Sequence, residues 1–428
     1  MCSRVAQRDS GDVNLGIYVA VLPRIMSKGT SPQSHTAPSP ISATADLICL
    51  SHLRWNFVFQ RPQHLMSRYA ISRRVYFVEE PVFHEHLSAA SVTMEPHGHL
   101  LVVTPQLPTS FNQTQVLAAQ RSLLSQLIAS EHINHYVLWY YTPQALRFSD
   151  HLSPDVIVYD CMDELSAFKN ADPNLPRLER ELMRRANVVF TGGQSLFEAK
   201  QHQHHNIHAL PSSVDVDHFS TARKCKDQPA DQANIPHSRL GFFGVLDERL
   251  DIPLLAGVAD ARPDWQLVMI GPVVKIDPND LPKRPNIHYL GPKSYGELPR
   301  YIAGWDVAML LFARNEATRF ISPTKTPEYL AAGKPVVSTS IRDVVSPYGD
   351  QGLVRIADAV PDFVAACDSA LNEKPESRRA RADAFLSNMS WDRTWGKTAM
   401  LIKKALERET QPVRVSATKP SSGLSLGA

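Results

Sequence analysis

Two doubly wound α/β domains facing each other across a cleft are predicted by three features of the sequence. Short β-branched or aromatic runs alternate with helical patterns, a polar stretch interrupts the rhythm near mid-chain, and a second series of the same kind follows it. The 428 residues, 43% hydrophobic and 21% charged, are ample for two or three buried cores and exclude a peptide, a fibre or a disordered chain. With 45 basic side chains against 43 acidic and a net charge of +2, there is no overall field for nucleic acid or an acidic polymer, so any charged partner must be met locally.

Taken in order, residues 1–45 are expected to be disordered. The tract 27–45 is rich in Ser, Thr, Pro and Ala with a single charge, and cannot offset its ordering entropy by burial; Met26 just before it offers an alternative start. Strands are predicted at 47–50, 75–78, 100–103, 136–139, 156–159, 188–191 and 208–210, giving a first domain over 46–216. The polar stretch 217–239 reads as a linker. The second domain, 240–389, has strands at 240–243, 267–270, 287–290, 307–311, 336–338 and 353–356, with helices such as 252–261 and 361–371. A last helix occupies 390–408, and the Ser, Pro and Gly-rich tail 409–428 is expected to be disordered.

Five dispersed cysteines, an odd number without a CxxC pair, argue against a disulfide framework or a cysteine zinc site and for a reducing compartment. No apolar run is long enough to span a bilayer, and 13–26, with Asp12 before it and Arg24 inside it, is unlike a signal peptide. The expected location is cytoplasmic.

Ligands of open α/β sheets bind beyond the carboxyl ends of the strands, so the residues after each strand are the candidates for chemistry. The loop from Gly241 to Asp251, GFFGVLDERLD, feeds a helix; Gly244 allows a phosphate close to backbone N–H groups and Arg249 can bond it, the alternative being a tight turn with Arg249 paired to Asp247 or Asp251. The segment from Phe312 to Thr339 crowds Arg314, Glu316, Thr318, Arg319, Thr324 and Lys325 into one strand-to-helix loop. Glu328 in the first turn of the following helix can accept both hydroxyls of a ribose while Lys325 holds diphosphate.

PTKTPEYLAAGKPVVST in this segment resembles the nucleotide-sugar signature of GT-B glycosyltransferases, in particular family 4-like enzymes of bacterial polysaccharide synthesis such as the teichuronic acid group. GFFGVLDERLD, RPDWQLVMIGP, PNIHYLGPKSYGELPRYI and DVAMLLF extend the resemblance through the second half, and SHLRWNFVFQRPQHL, YDCMDEL and FTGGQSLFEAK carry it into the first, so that it spans about 46–406. It implies a GT-B fold whose second domain holds a nucleotide-sugar, with cations and helix termini neutralising the leaving diphosphate instead of a metal ion; no cofactor is implied. The last helix is similar to the GT-B segment that crosses back onto the first domain. One position departs: the family pairs two glutamates seven residues apart, and with Glu328 as the second the first falls on Phe320, for which Glu316 is the nearby substitute.

In the first domain, His52, Arg54, Trp55, Arg61 and His64 gather after the first strand. An aromatic plane beside polar groups suits a sugar and arginines suit an acceptor phosphate; core packing is the competing account of Trp55, and a helix surface that of His64. In YDCMDEL, Asp163 is the preferred base for an acceptor hydroxyl, followed by Asp160 and Glu164, with helix capping as the alternative. Gly192 and Gly193 can bring backbone N–H groups to the diphosphate, or simply precede a helix capped by Ser195. The histidines at 202, 204, 205 and 208 lack a metal-ligand geometry.

These residues lead to a glycosyltransferase using a nucleotide-sugar, UDP-linked, and a cell-surface saccharide or lipid-linked acceptor. A UDP-sugar epimerase and a catalytically silent nucleotide-sugar-binding subunit are the alternatives. Residues 46–75 also carry five arginines against one acid, and Arg61 and Arg68, seven apart, share a helix face that could rest on an anionic membrane.

Overall fold

Two parallel sheets, built on strands whose residues are buried on both faces, organise the chain. The computed structural model describes residues 45–409, which lie in one compact unit; the expectations for 1–44 and 410–428 lie outside the described residues. The first sheet contains β1 (Asp46–Leu50), β2 (Val75–Val78), β3 (Val82–His84), β4 (Ser91–His97), β5 (Leu100–Pro108), β6 (Tyr136–Tyr140), β7 (Val156–Cys161), β8 (Val188–Thr191) and β9 (Ile207–Ala209). Its order is β3-β5-β2-β1-β6-β7-β8-β9, with β4 antiparallel on β5. The second contains β10 (Arg239–Phe243), β11 (Gln266–Ile270), β12 (Ile287–Tyr289), β13 (Val307–Leu310), β14 (Val336–Ser338) and β15 (Val354–Ile356), ordered β12-β11-β10-β13-β14-β15. The strand order reverses between β1 and β6 in the first sheet and between β10 and β13 in the second, and a crevice opens at the carboxyl ends of each pair.

The reading of the strands misses β3 and the solvent-facing β4, whose residues are all exposed and whose sequence SVTMEPH offers no apolar run. The stretch read as a linker is partly structured. Val216–Ser220 and Ala230–Ala233 are short helices, and Gln232 is wholly buried, where its side chain donates to the Tyr301 carbonyl and accepts from the Trp305 indole.

The helix Trp391–Glu409 puts Trp391, Ala399, Ile402 and Ala405 into the core of the first sheet beside Leu47, Val137 and Trp139, and Tyr69 bonds Thr398 at 2.8 Å. Under the same helix face lies an ion pair. Arg61, 1% exposed, reaches Asp160, 0% exposed, through Nε at 2.9 and 3.2 Å, and its Nη1 donates to the Leu210 carbonyl at 2.7 Å. Arg61 is therefore no part of a membrane-facing patch, because the helix Arg61–Tyr69 turns that side into the core, and Arg68 on the same helix pairs with Asp392 at 2.7 Å. His64, expected at the helix surface, is buried and stacks on Trp391 with ring centroids 4.3 Å apart. Among the described residues no helix is long and apolar enough to cross a membrane, and Cys49, Cys161, Cys225 and Cys367 are free thiols.

Breaking a buried pair by removing one partner leaves an uncompensated charge. Asp160→Asn should therefore lower stability by about 3 to 5 kcal/mol in urea titrations, whereas Arg121→Ala, which breaks the half-exposed Arg121–Asp150 pair, should cost no more than about 1 kcal/mol.

Candidate active site

The second-domain crevice is shaped by one glycine and one lysine. Gly244 has a φ of +139°, open to glycine more than to other residues, and the Lys325 side chain lies where a Cβ at this position would stand. Lys325 opens the helix Lys325–Ala331, which is tied to β10 by the Tyr329 hydroxyl accepting from the Phe243 N–H at 3.0 Å. Its ammonium sits 5.7 Å from the ring centroids of both Phe242 and Phe312. One turn into the helix, Glu328 is 5% exposed and its Oε2 has no hydrogen-bond partner; Thr326 Oγ1 beside it is also unpartnered. Burial and the nearby Arg249 guanidinium pull Lys325 below the usual lysine range, and burial pushes Glu328 above the usual carboxylate range against the pull of Lys325. Both effects relax when charge is brought to the lysine or hydroxyls to the glutamate.

Arg249 takes the more modest of its two readings as well as a place in the cleft. It makes a two-pronged pair with Asp247, Nη2 to Oδ2 at 2.7 Å and Nε to Oδ1 at 3.0 Å, and lies 5.5 Å from the ring centroid of Phe168 in the first domain. Lys275, with a left-handed φ of 65°, covers the same ring at 5.0 Å. Asp163 stands in this company. Burial pushes its carboxyl up to about 6, with Arg249, Lys325 and Lys275 pulling down and Asp247 pushing up. The first-domain crevice contributes His52, which follows β1. Its Nδ1 is buried without a partner, and burial, with Lys275 nearby, pulls the imidazole down to about 4, so it is neutral at neutral pH.

Several expected site residues are held elsewhere. Asp160 is consumed by Arg61 and has no exposed atom to meet an acceptor. Glu164 pairs with Lys200 at 2.6 Å; burial works against its charge, but Lys200 and Ser166 hold it below its ordinary value. Glu316 is exposed and its nearest cation is Arg319 at 3.6 Å, while Phe320 packs toward the core of the first domain. Arg314 pairs with Asp358 at 3.1 Å, and Arg319 is exposed over the Phe320 ring. Thr318 is buried and spends its hydroxyl on the Ala313 carbonyl, holding the loop; Thr324 is the half-buried residue before the Lys325 helix. Arg54 bonds Glu79 and the Glu80 carbonyl, and Trp55 packs edge-on to Phe77 at 5.1 Å.

Gly192 and Gly193 are needed for close approach, but to protein. A Cβ on Gly192 would strike the Met162 backbone, and one on Gly193 would strike Asp343, whose carboxylate accepts from the Gln194 and Ser195 N–H groups at 2.9 and 3.0 Å. A second-domain aspartate thus occupies the helix start expected to meet diphosphate. Aromatic rings join the domains as well: Phe59 stacks on Tyr295 at 4.6 Å and Tyr295 on His218 at 4.4 Å. The pairing of Asp343 with residue 194 was invisible to local motifs, being separated by about 150 positions. Among the described residues, no group of three or more His, Cys, Asp or Glu is placed to hold a metal.

Residues 239–373 match the family described as Glycosyl transferases group 1. The chain is 26% identical over 271 residues to TuaH of Bacillus subtilis (strain 168), a protein assigned to teichuronic acid biosynthesis as a glycosyltransferase, covering 59% of this chain and 68% of that one. In structure it is similar to the sucrose-phosphate synthase of Thermosynechococcus elongatus, with a TM-score of 0.63 at 13% identity over 85% of this chain and 100% of the other. It is also similar to a trehalose-6-phosphate structure from E. coli bound with UDP-2-fluoro glucose, with a TM-score of 0.61 at 12% identity over 85% and 99%. Anabaena HepE in complex with UDP and glucose gives a TM-score of 0.57 at 12% identity over 83% and 98%.

A buried carboxyl held near 6 opposes folding at neutral pH. Its folded value lies above its unfolded one, so the stability it confers is full below about pH 4 and is lost as pH rises through about 6. Asp163→Asn should therefore be more stable than the parent at pH 8, by on the order of 2 to 3 kcal/mol, and the advantage should shrink between pH 6 and 4 in urea titrations.

Proposed function

We propose that this chain, which has a GT-B fold and whose residues 239–373 match the group 1 glycosyltransferases, takes a UDP-sugar donor in the second domain and meets a cell-envelope saccharide or lipid-linked acceptor with the first. The observation that carries this reading is the constellation of Gly244, Lys325 and Glu328 at the point where the strand order of the second sheet reverses. Glu328 has an unpartnered buried oxygen to accept from a ribose hydroxyl, and Lys325, over a glycine that leaves the backbone open, supplies a positive charge for the diphosphate. The UDP-bound structural neighbours and the teichuronic acid relative support the donor and acceptor classes.

In this reading Lys325, with Arg249 behind it, stabilises the charge that grows on the diphosphate as the sugar–oxygen bond breaks. Opposite charges interact more strongly where bound substrate excludes water, which favours that contact. Asp163 accepts the proton of the acceptor hydroxyl. A carboxyl near 6 is ionised at neutral pH yet a better base than an exposed aspartate. Turnover should accordingly fall as pH drops through about 6.

Glu328→Ala and Lys325→Ala should each weaken UDP binding by roughly 1.5 to 3 kcal/mol, the worth of a hydrogen bond to a charged group, as read by titration calorimetry. Unchanged affinity in both variants would remove the nucleotide from this site. Asp163→Asn should keep UDP affinity and lose about 100-fold or more in turnover; parental turnover would take the base role from Asp163.

A further inference from the structure

Both carboxylate oxygens of Glu248 are buried and neither has a hydrogen-bond partner. Among the described residues the one other unpartnered buried carboxylate oxygen is Oε2 of Glu328. Burying an anionic oxygen without a donor is costly, and native proteins satisfy nearly all such groups, so two residues of this kind on one crevice point to a ligand that supplies donors.

The backbone around Glu248 is well bonded. The Glu248 carbonyl accepts from Asn315 Nδ2 at 3.1 Å, the Arg249 carbonyl accepts from the Ala313 N–H at 2.8 Å, and Asp247 is held by Arg249. These bonds pin the loop after β10 to the segment after β13, the two strands between which the order of the second sheet reverses. Gly244 lies on the same loop, and the Lys325 side chain packs against it. Neighbouring carboxylates are already engaged or turned away: Asp358 serves Arg314 and Ser340, and Glu316 is exposed.

We propose that Glu248 binds the hydroxyls of the donor sugar, an assignment that rests on the second domain holding a nucleotide-sugar. A carboxylate has two oxygens in one plane, and vicinal pyranose hydroxyls can each donate to one of them. The site then selects a sugar whose edge toward Glu248 carries free hydroxyls. A sugar presenting a carboxylate on that edge is rejected by like-charge repulsion.

The test compares parent, Glu248→Ala and Glu248→Gln by calorimetry with UDP and with UDP-glucose, UDP-galactose, UDP-N-acetylglucosamine and UDP-glucuronate. For the best-bound sugar nucleotide, the ratio of its dissociation constant to that of UDP should rise at least tenfold in Glu248→Ala and less in Glu248→Gln, with UDP affinity itself within twofold of the parent. The ligand-free protein should still unfold cooperatively in both variants. An unchanged ratio, an equal loss for UDP and UDP-sugar, or a collapse of the fold in both variants would each overturn the assignment. Failure of the parent to bind UDP at all would instead overturn the nucleotide site on which it rests.

Discussion

The buried pair between Arg61 and Asp160 is the constraint on which the first half of the molecule depends. Arg61 begins the helix after β1, Asp160 belongs to β7, and the second arm of the guanidinium reaches the carbonyl that follows β9. One side chain therefore sets the relative positions of three elements across the central sheet. Burial raises the Asp160 carboxyl above its ordinary value and Arg61 pulls the other way; the short contact through both oxygens is one that suits the charged pair. With Asp160 spent on structure, the neighbouring Asp163, three residues on and past the strand end, is free to face Arg249 and Lys325.

The two domains are joined by contacts of different character. Asp343 caps the helix start after β8, Arg342 pairs with Glu198 at 2.9 Å, and Phe59, Tyr295 and His218 form a column of rings. The carboxylate satisfies N–H groups at a helix start, and this is why Gly193 must lack a side chain. The ring column buries His64, whose imidazole is pulled down to about 3 by burial, Arg68 and His218, so it packs as a neutral aromatic ring.

Among the described residues, the unpartnered buried carboxylate oxygens belong to Glu248 and Glu328 of the second domain. Elsewhere buried carboxylates and amides are matched, as Asp160, Gln232 and Asn286 are, the last donating to three carbonyls. Around Gly244, by contrast, Glu328, Thr326 and Glu248 keep unpartnered oxygens, Lys325 is drawn below its usual range and Asp163 is raised to about 6. Such groups oppose folding, which is the electrostatic signature of a candidate binding site.

The fold was legible because parallel strands covered on both faces need continuous apolar runs, and those runs, such as VYFV at β2 and QLVMI at β11, stand in the sequence without reference to any partner. The same holds for Lys325 and Glu328, whose spacing on one short helix is a local property. What the tertiary structure alone decided is which of the crowded polar residues enter the crevice. Arg314 and Arg319 are cations like Lys325, and Glu316 is an acid like Glu328, but their side chains meet Asp358, one another or solvent. Arg61, Asp160 and Gly193 read as ligand contacts until partners 99 and about 150 positions away claimed them. No motif singles out Glu248, and only the burial of both its oxygens sets it apart. Local pattern determines secondary structure because its hydrogen bonds and periodic faces are short-range, whereas the fate of a charge depends on which opposite charge and how little water the fold brings to it.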